Sequence, residues 1–151
     1  MIALDTLQQK LGAAEPWVQT HSVNWLTPGS LTVRELTREM NSIGARFVTI
    51  TAYELPAKAG FRLEYHWDLE GRLLGFPFQI AANTIESIFD LCEAADWIER
   101  EIHEEYCIDF TGREYEPLLL RQGDQSGVNL REVPVPASSV CCVSGQEEVK
   151  K

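Results

Sequence analysis

Between Phe61 and Leu69 the chain alternates without a break: Phe61, Leu63, Tyr65, Trp67 and Leu69 are apolar, and Arg62, Glu64, His66, Asp68 and Glu70 are polar. A period of two is strand geometry with one buried and one wet face, and it puts His66 on the wet side. Glu70-Gly71 supplies a tight turn, after which Leu74, Phe76, Phe78 and Ile80 return as the hairpin partner. Pro77 removes one ladder donor, so the returning strand is expected at an edge or a bulge. An isolated hairpin does not stand alone in water, so the rest of the chain must cover its apolar face.

The helical candidates for that cover are read from caps and periodicity. Thr32 and Glu35 form a capping box ahead of Val33, Leu36, Met40 and Ile43, and Gly44 closes the segment. Leu4, Leu7 and Leu11, closed by Gly12, suggest a short opening helix. Asn83 and Glu86 repeat the capping pattern before Ile85, Ile88, Phe89 and Cys92, which predicts a helix there. Asp96, with Glu99 three residues on, is placed to cap a further helix running to about Tyr106. Val18–Leu26 reads as one strand, and Thr27-Pro28-Gly29-Ser30 as a turn. From Arg46 to Leu55 apolar residues fall on both sides, as in a strand covered on both faces or lying mid-sheet. The expected fold class is α+β: a two-layer, mostly antiparallel sheet of three to five strands with helices on one face. Residues 1–121 form the single domain, and residues 122–151, rich in Gly, Ser, Pro and charge, are expected to be an extended or disordered tail without a core of its own.

Thirteen Lys and Arg against 23 Asp and Glu give the 151-residue chain a net charge of −10. That balance repels phosphate backbones and anionic lipid, so no nucleic acid and no direct membrane contact are expected. No stretch reaches the roughly 20 apolar residues of a membrane span. Cys92, Cys107, Cys141 and Cys142 are unevenly spaced and no basic-then-apolar leader precedes them, which points to reduced thiols in a cytoplasmic protein.

A catalytic constellation is not visible: there is no phosphate-cradling glycine loop, dinucleotide fingerprint or nucleophile elbow. His103 and Cys107, four apart on a helix, could share a metal, but two ligands do not close a site. The unusual feature is the helix near residue 100. At 100° per residue from Trp97, Ile98, Ile102 and Tyr106 fall at about 100°, 140° and 180°, while Glu101 and Glu105 fall at about 40° and 80°, inside the same arc. Two carboxylates four apart repel, and apolar surroundings disfavour their ionisation. Either the arc's edge is wet, or a second polypeptide supplies Arg or Lys to this face. Arg100 and Glu104, outside the arc, read as a surface ion pair.

Ala94-Ala95-Asp96-Trp97-Ile98-Glu99-Arg100-Glu101 resembles the A-x-W-x-E-R-E motif of the 30 kDa subunit of respiratory NADH–quinone oxidoreductase (complex I), a module shared with membrane-bound energy-converting NiFe hydrogenases. Glu104-Glu105-Tyr106-Cys107-Ile108-Asp109-Phe110-Thr111-Gly112 is similar to the family's D-(M/L)-(F/Y)-G-I-x-F-x-G sequel, and Pro117-Leu118-Leu119-Leu120 to the R-P-L-L-L ending of the hydrogenase branch. The resemblance follows element order over about residues 20–135 and is specific over 94–120. Cys107 stands where the family has Gly, which argues against a left-handed helix end there. Arg113-Glu114 stands where the family has His-Pro.

The resemblance implies a non-catalytic structural subunit, with the hydrogenase branch favoured by the short chain and its tail. Such a subunit holds no cofactor. Iron–sulfur clusters, and in that branch a NiFe centre, reside in its partners, the large catalytic subunit and the small iron–sulfur subunit. It lies on the cytoplasmic side and meets the membrane only through the complex. The interface expected from the motif comprises Trp97, Glu99, Arg100, Glu101, Glu105, Gly112 and Arg113. Three alternatives stand beside it: the 30 kDa subunit of a true quinone-reducing NADH dehydrogenase, an assembly factor, and a free-standing small-molecule-binding α+β domain using Glu101, His103 and Glu105.

Overall fold

A computed structural model describes residues 4–130. It contains α1 (Leu4–Lys10), β1 (Val18–Thr20), β2 (Val23–Trp25), α2 (Val33–Ser42), β3 (Arg46–Glu54), β4 (Phe61–Leu69), β5 (Arg72–Ile80), β6 (Thr84–Glu86), α3 (Asp96–Tyr106) and β7 (Asp109–Thr111). Five strands form one sheet in the order β1-β2-β5-β4-β3, antiparallel throughout except where β2 runs parallel to β5. The α+β class with a mostly antiparallel sheet is therefore as expected.

The β4–β5 hairpin forms as the alternation requires. Glu70 and Gly71, both at positive φ, make the turn, and Trp67 faces Leu74 while Tyr65 faces Phe76. These four side chains are fully buried. β5 is an inner strand at Leu73–Gly75, where β2 pairs with it, and an edge from Phe76 onward, which is where Pro77 sits. At the junction the Trp25 ring lies against the Gly75 backbone; a Cβ there would come within 2.5 Å of the indole. The Thr32 capping box is present in both directions, and α2 buries Val33, Leu36 and Met40.

Four expectations fail for physical reasons. Val18–Leu26 is two strands, because His21 at φ 55° turns the chain back on itself. β3 is an edge strand with one wet side: a bulge between Phe47 and Thr49 lets both Phe47 and Ile50 face the core and leaves Val48 exposed. That bulge is what made the sequence look apolar on both faces. His66 is buried rather than solvated, with the Trp25 ring edge-on at 5.3 Å. Burial lowers its pKa, against the pull of Glu64.

The helix expected after Asn83 does not form. Thr84–Glu86 instead pairs in parallel with Asp109–Thr111 as a separate two-stranded sheet. Residues 122–130, assigned by composition to the tail, lie against the end of α3, where Gly127 and Asn129 donate to the carbonyls of Glu104 and Glu105 at 2.7 and 3.1 Å. Cys141 and Cys142 are outside the described residues.

Candidate functional site

α3 begins after a 3-10 turn at Glu93–Ala95 and packs on β3. No side chain caps it: Asp96, expected as the cap, is the first helical residue and is engaged elsewhere. The buried stripe is rotated relative to the sequence expectation. Glu99, Ile102, His103 and Glu104 are buried, and Trp97 is 71% exposed. The acids inside the fold are thus Glu99 and Glu104, not Glu101 and Glu105.

Glu99 is completely buried, and three donors meet it. Ser87 Oγ donates at 2.6 Å and Arg113 Nη1 at 3.0 Å to one oxygen, and the Ile88 N–H donates at 2.8 Å to the other. Burial pushes this carboxyl up, opposed by those three bonds. Donors reach both oxygens and offset part of the cost of burying the charge. The Arg113 side chain is only 3% exposed. Its guanidinium also donates to the Asp96 carboxylate and backbone carbonyl, and lies over the rings of Phe89 and Tyr115 at 4.9 and 5.1 Å. A buried pair of this kind is tolerable only because nearly every lone pair and proton is matched.

Two further side chains fasten the segment after Arg113 to the helix. Arg100 donates to the carbonyls of Glu116 and Pro117 at 3.0 and 3.1 Å and pairs with Asp96 at 3.2 Å. Glu104 receives three consecutive N–H groups, from Leu118, Leu119 and Leu120, at 2.6, 2.8 and 3.1 Å. The Arg100–Glu104 surface pair expected from their spacing is therefore replaced by two separate clamps. Burial works against the ionisation of Asp96, but its bonds from Arg113 and Arg100 hold it below the usual carboxylate range.

His103 is held inside the fold. Its Nδ1 donates to the Ile108 carbonyl at 2.8 Å and its ring stacks on Tyr115 at 3.7 Å. Cys107 does end the helix left-handed, at φ 54° and ψ 33°, despite its Cβ. Among the described residues no group of three or more His, Cys, Asp or Glu side chains is placed to hold a metal. A shallow polar cavity of about 310 Å³ is lined by Arg34, Glu86, Asp90, Thr111 and Gly112, and Arg34 is already committed to Asp90 and the Ser87 carbonyl.

Of the seven expected interface residues, Glu99, Arg100 and Arg113 converge in one internal network. Trp97 is exposed, Glu101 is half-buried, and Gly112 is an exposed turn residue at φ +88°. Glu105 is half-buried, and Asn129 Nδ2 donates to it at 2.6 Å. Its carboxyl is raised, first by burial and then by Glu101. Sequence reasoning missed Ser87, Asp96 and Glu104. Asp96 and Glu104 were expected only as a cap and a surface partner, and Glu99 falls at about 200° on the wheel beside Tyr106, on the far side of the apolar arc from Glu101 and Glu105.

Residues 30–135 match the family described as respiratory-chain NADH dehydrogenase, 30 kDa subunit. The fold is similar to that of a trypsin-resistant fragment of Nqo5, with a TM-score of 0.58, 15% identity, and 75% of this chain and 98% of that one covered. It is also similar to a chain of the membrane-bound sulfane sulfur reductase, an archaeal respiratory membrane complex. There the TM-score is 0.67 and the identity 20%, with 83% and 78% of the two chains covered. A search of curated proteins by sequence finds no match.

Proposed function

The chain belongs to the family of the 30 kDa subunit of respiratory-chain NADH dehydrogenase, and from that premise we propose that it is a non-catalytic structural subunit of a membrane-associated respiratory oxidoreductase of the energy-converting NiFe hydrogenase type. It docks on the large catalytic subunit beside the small iron–sulfur subunit, and those partners carry the clusters and the NiFe centre. It works at the cytoplasmic face and touches the membrane only through the complex. No helix among the described residues is long and apolar enough to cross a membrane.

The observation that carries this reading is the use made of the family motif. Glu99, Glu104 and Arg113 bury their charge inside the protein, and together with Arg100 they hold the 113–120 segment on α3. Buried, fully matched groups of this kind position a surface; they are not poised for acid–base work on a substrate. Trp97 and Glu101 then stand at the contact, Glu105 and Gly112 flank it, and Glu99, Arg100 and Arg113 set its shape from beneath.

Affinity purification of the tagged full chain from its own cells in mild detergent tests the proposal. A NiFe-type large subunit and a small iron–sulfur subunit are expected in equal amount with it. Recovery with a quinone-reducing large subunit would move the chain to the NADH–quinone branch, and recovery alone would overturn the subunit reading.

A further inference from the structure

The outer flank of α3 narrows what the partner must present there, an inference that rests on the subunit reading above. Trp97 is 71% exposed. Glu101 follows one turn later, and side chains four apart on a helix stand about 5–6 Å from each other at Cβ. Among the described residues no cation pairs with Glu101, while the nearby Arg100 and Arg113 are committed to Asp96, Glu99 and backbone carbonyls. One turn further, the Glu105 carboxylate takes, among the described residues, a neutral amide from Asn129.

Two exposed apolar side chains stand on the segments that are hydrogen-bonded to the C-terminal half of α3. Leu119 is 56% exposed and is fixed in place by its own N–H on Glu104. Val128 is 66% exposed and lies between the two residues whose N–H groups cap the end of α3. A single exposed aromatic is ordinary. An indole one turn from a carboxylate that no cation among the described residues pairs is a bracket for a guanidinium: the planar group stacks on the ring and forks onto the acid.

We infer that this flank is the docking surface for an arginine-bearing segment of a partner protein, the guanidinium lying on Trp97 and pairing with Glu101 while neighbouring apolar side chains cover Leu119 and Val128. Charge complementarity selects that occupant. A second copy of this chain would bring the same acidic stripe against itself in a two-fold contact, and the chain as a whole carries −10.

The test uses the tagged full chain in its native complex, with W97A, E101Q and E101K. Trp97 is exposed and Glu101 makes no ion pair among the described residues, so W97A and E101Q should leave the melting temperature unchanged, and the melting temperature of E101K is measured beside its recovery. E101K and W97A are expected to lower recovery of the large subunit about tenfold or more, the scale of a hot-spot loss, with E101Q between them and wild type. A photo-crosslinking residue at position 97 should attach to an arginine-containing peptide of a partner, and exchanging that arginine for glutamate should restore recovery with E101K. Wild-type recovery by W97A and E101K would overturn the docking surface and leave the subunit reading standing. So would a crosslink to another copy of this chain, or to a peptide without a basic residue. A wild-type chain recovered alone would overturn the subunit reading itself.

Discussion

Between β4 and β5, Tyr65, Trp67, Leu74 and Phe76 are held by cross-strand contact and burial, and the Tyr65 hydroxyl and Trp67 indole N–H find no partner among the described residues. Around α3 the buried groups are Glu99, Glu104 and Arg113, and each is ringed by donors or acceptors. The sheet spreads its stabilisation over apolar area and tolerates an orphaned polar atom, at about 1–3 kcal/mol each. The α3 network has no such tolerance, because removing one member leaves a charge in low dielectric. One region is forgiving in detail and the other is specific.

The sharpest way to separate the two is to damage each by a similar amount and change the pH. Phe76→Ala should cost about 3–5 kcal/mol in urea denaturation, with little added pH dependence. Arg113→Ala should also cost about 3–5 kcal/mol at neutral pH, because it strands Glu99. Part of that second loss should return on acidification. The folded-state pKa of Glu99 is already raised by burial and rises further without Arg113, so the folded form binds the proton more tightly than the unfolded one. Stability from this group is fully present below the unfolded carboxyl value of about 4.3 and lost as pH rises through the folded value. Equal pH profiles for the two variants would erase the distinction. Replacing both partners, as in Glu99→Gln with Arg113→Met, should cost less than Arg113→Ala alone.

A smaller and more local effect is expected from Glu104→Gln. It turns one acceptor oxygen into a donor facing the N–H groups of residues 118–120 and should cost about 1–3 kcal/mol. Hydrogen exchange should quicken at Leu118–Leu120 while the β4 and β5 amides keep their protection. Thr32→Ala, which removes the capping box of α2, should lower global stability by about 1 kcal/mol without touching exchange at 118–120.

The smallest effect belongs to His66. Burial holds its folded pKa below the ordinary value, so its contribution is present above about pH 6.5 and lost as pH falls through the lowered folded value. His66→Gln should flatten the fall in melting temperature between pH 7.5 and 5.5. An unchanged slope would show that the Trp25 ring does not shield the imidazole.

What was legible in the sequence was local. The Thr32-Glu35 box, the Glu70-Gly71 turn and the alternation of β4 each involve residues within about nine positions of one another, and each formed. What was missed is long-range. Asn83–Glu86 looks like a helix start until Asp109–Thr111 arrives to pair with it. The phase of α3 is decided by Arg113 and the 118–120 amides, which lie 14 to 16 positions from the acids they meet. Glu101 and Glu105 therefore drew attention as acids on an apolar arc, when the arc that is buried holds Glu99 instead. Cys107 adopts the conformation its type disfavours because the helix end is fixed by the Glu104 and Glu105 carbonyls, which take N–H groups from residues 127 and 129.

The parallel pairing of β2 with β5 sets an order of assembly. β3, β4 and β5 follow one another directly and can zip up as a meander, whereas β2 must wait for Gly75, about fifty positions downstream, before its Trp25 has a backbone to lie on. On a growing chain the β1–β2 ribbon therefore emerges early and finds its berth late, and the missing side chain of a single glycine is what keeps that berth open.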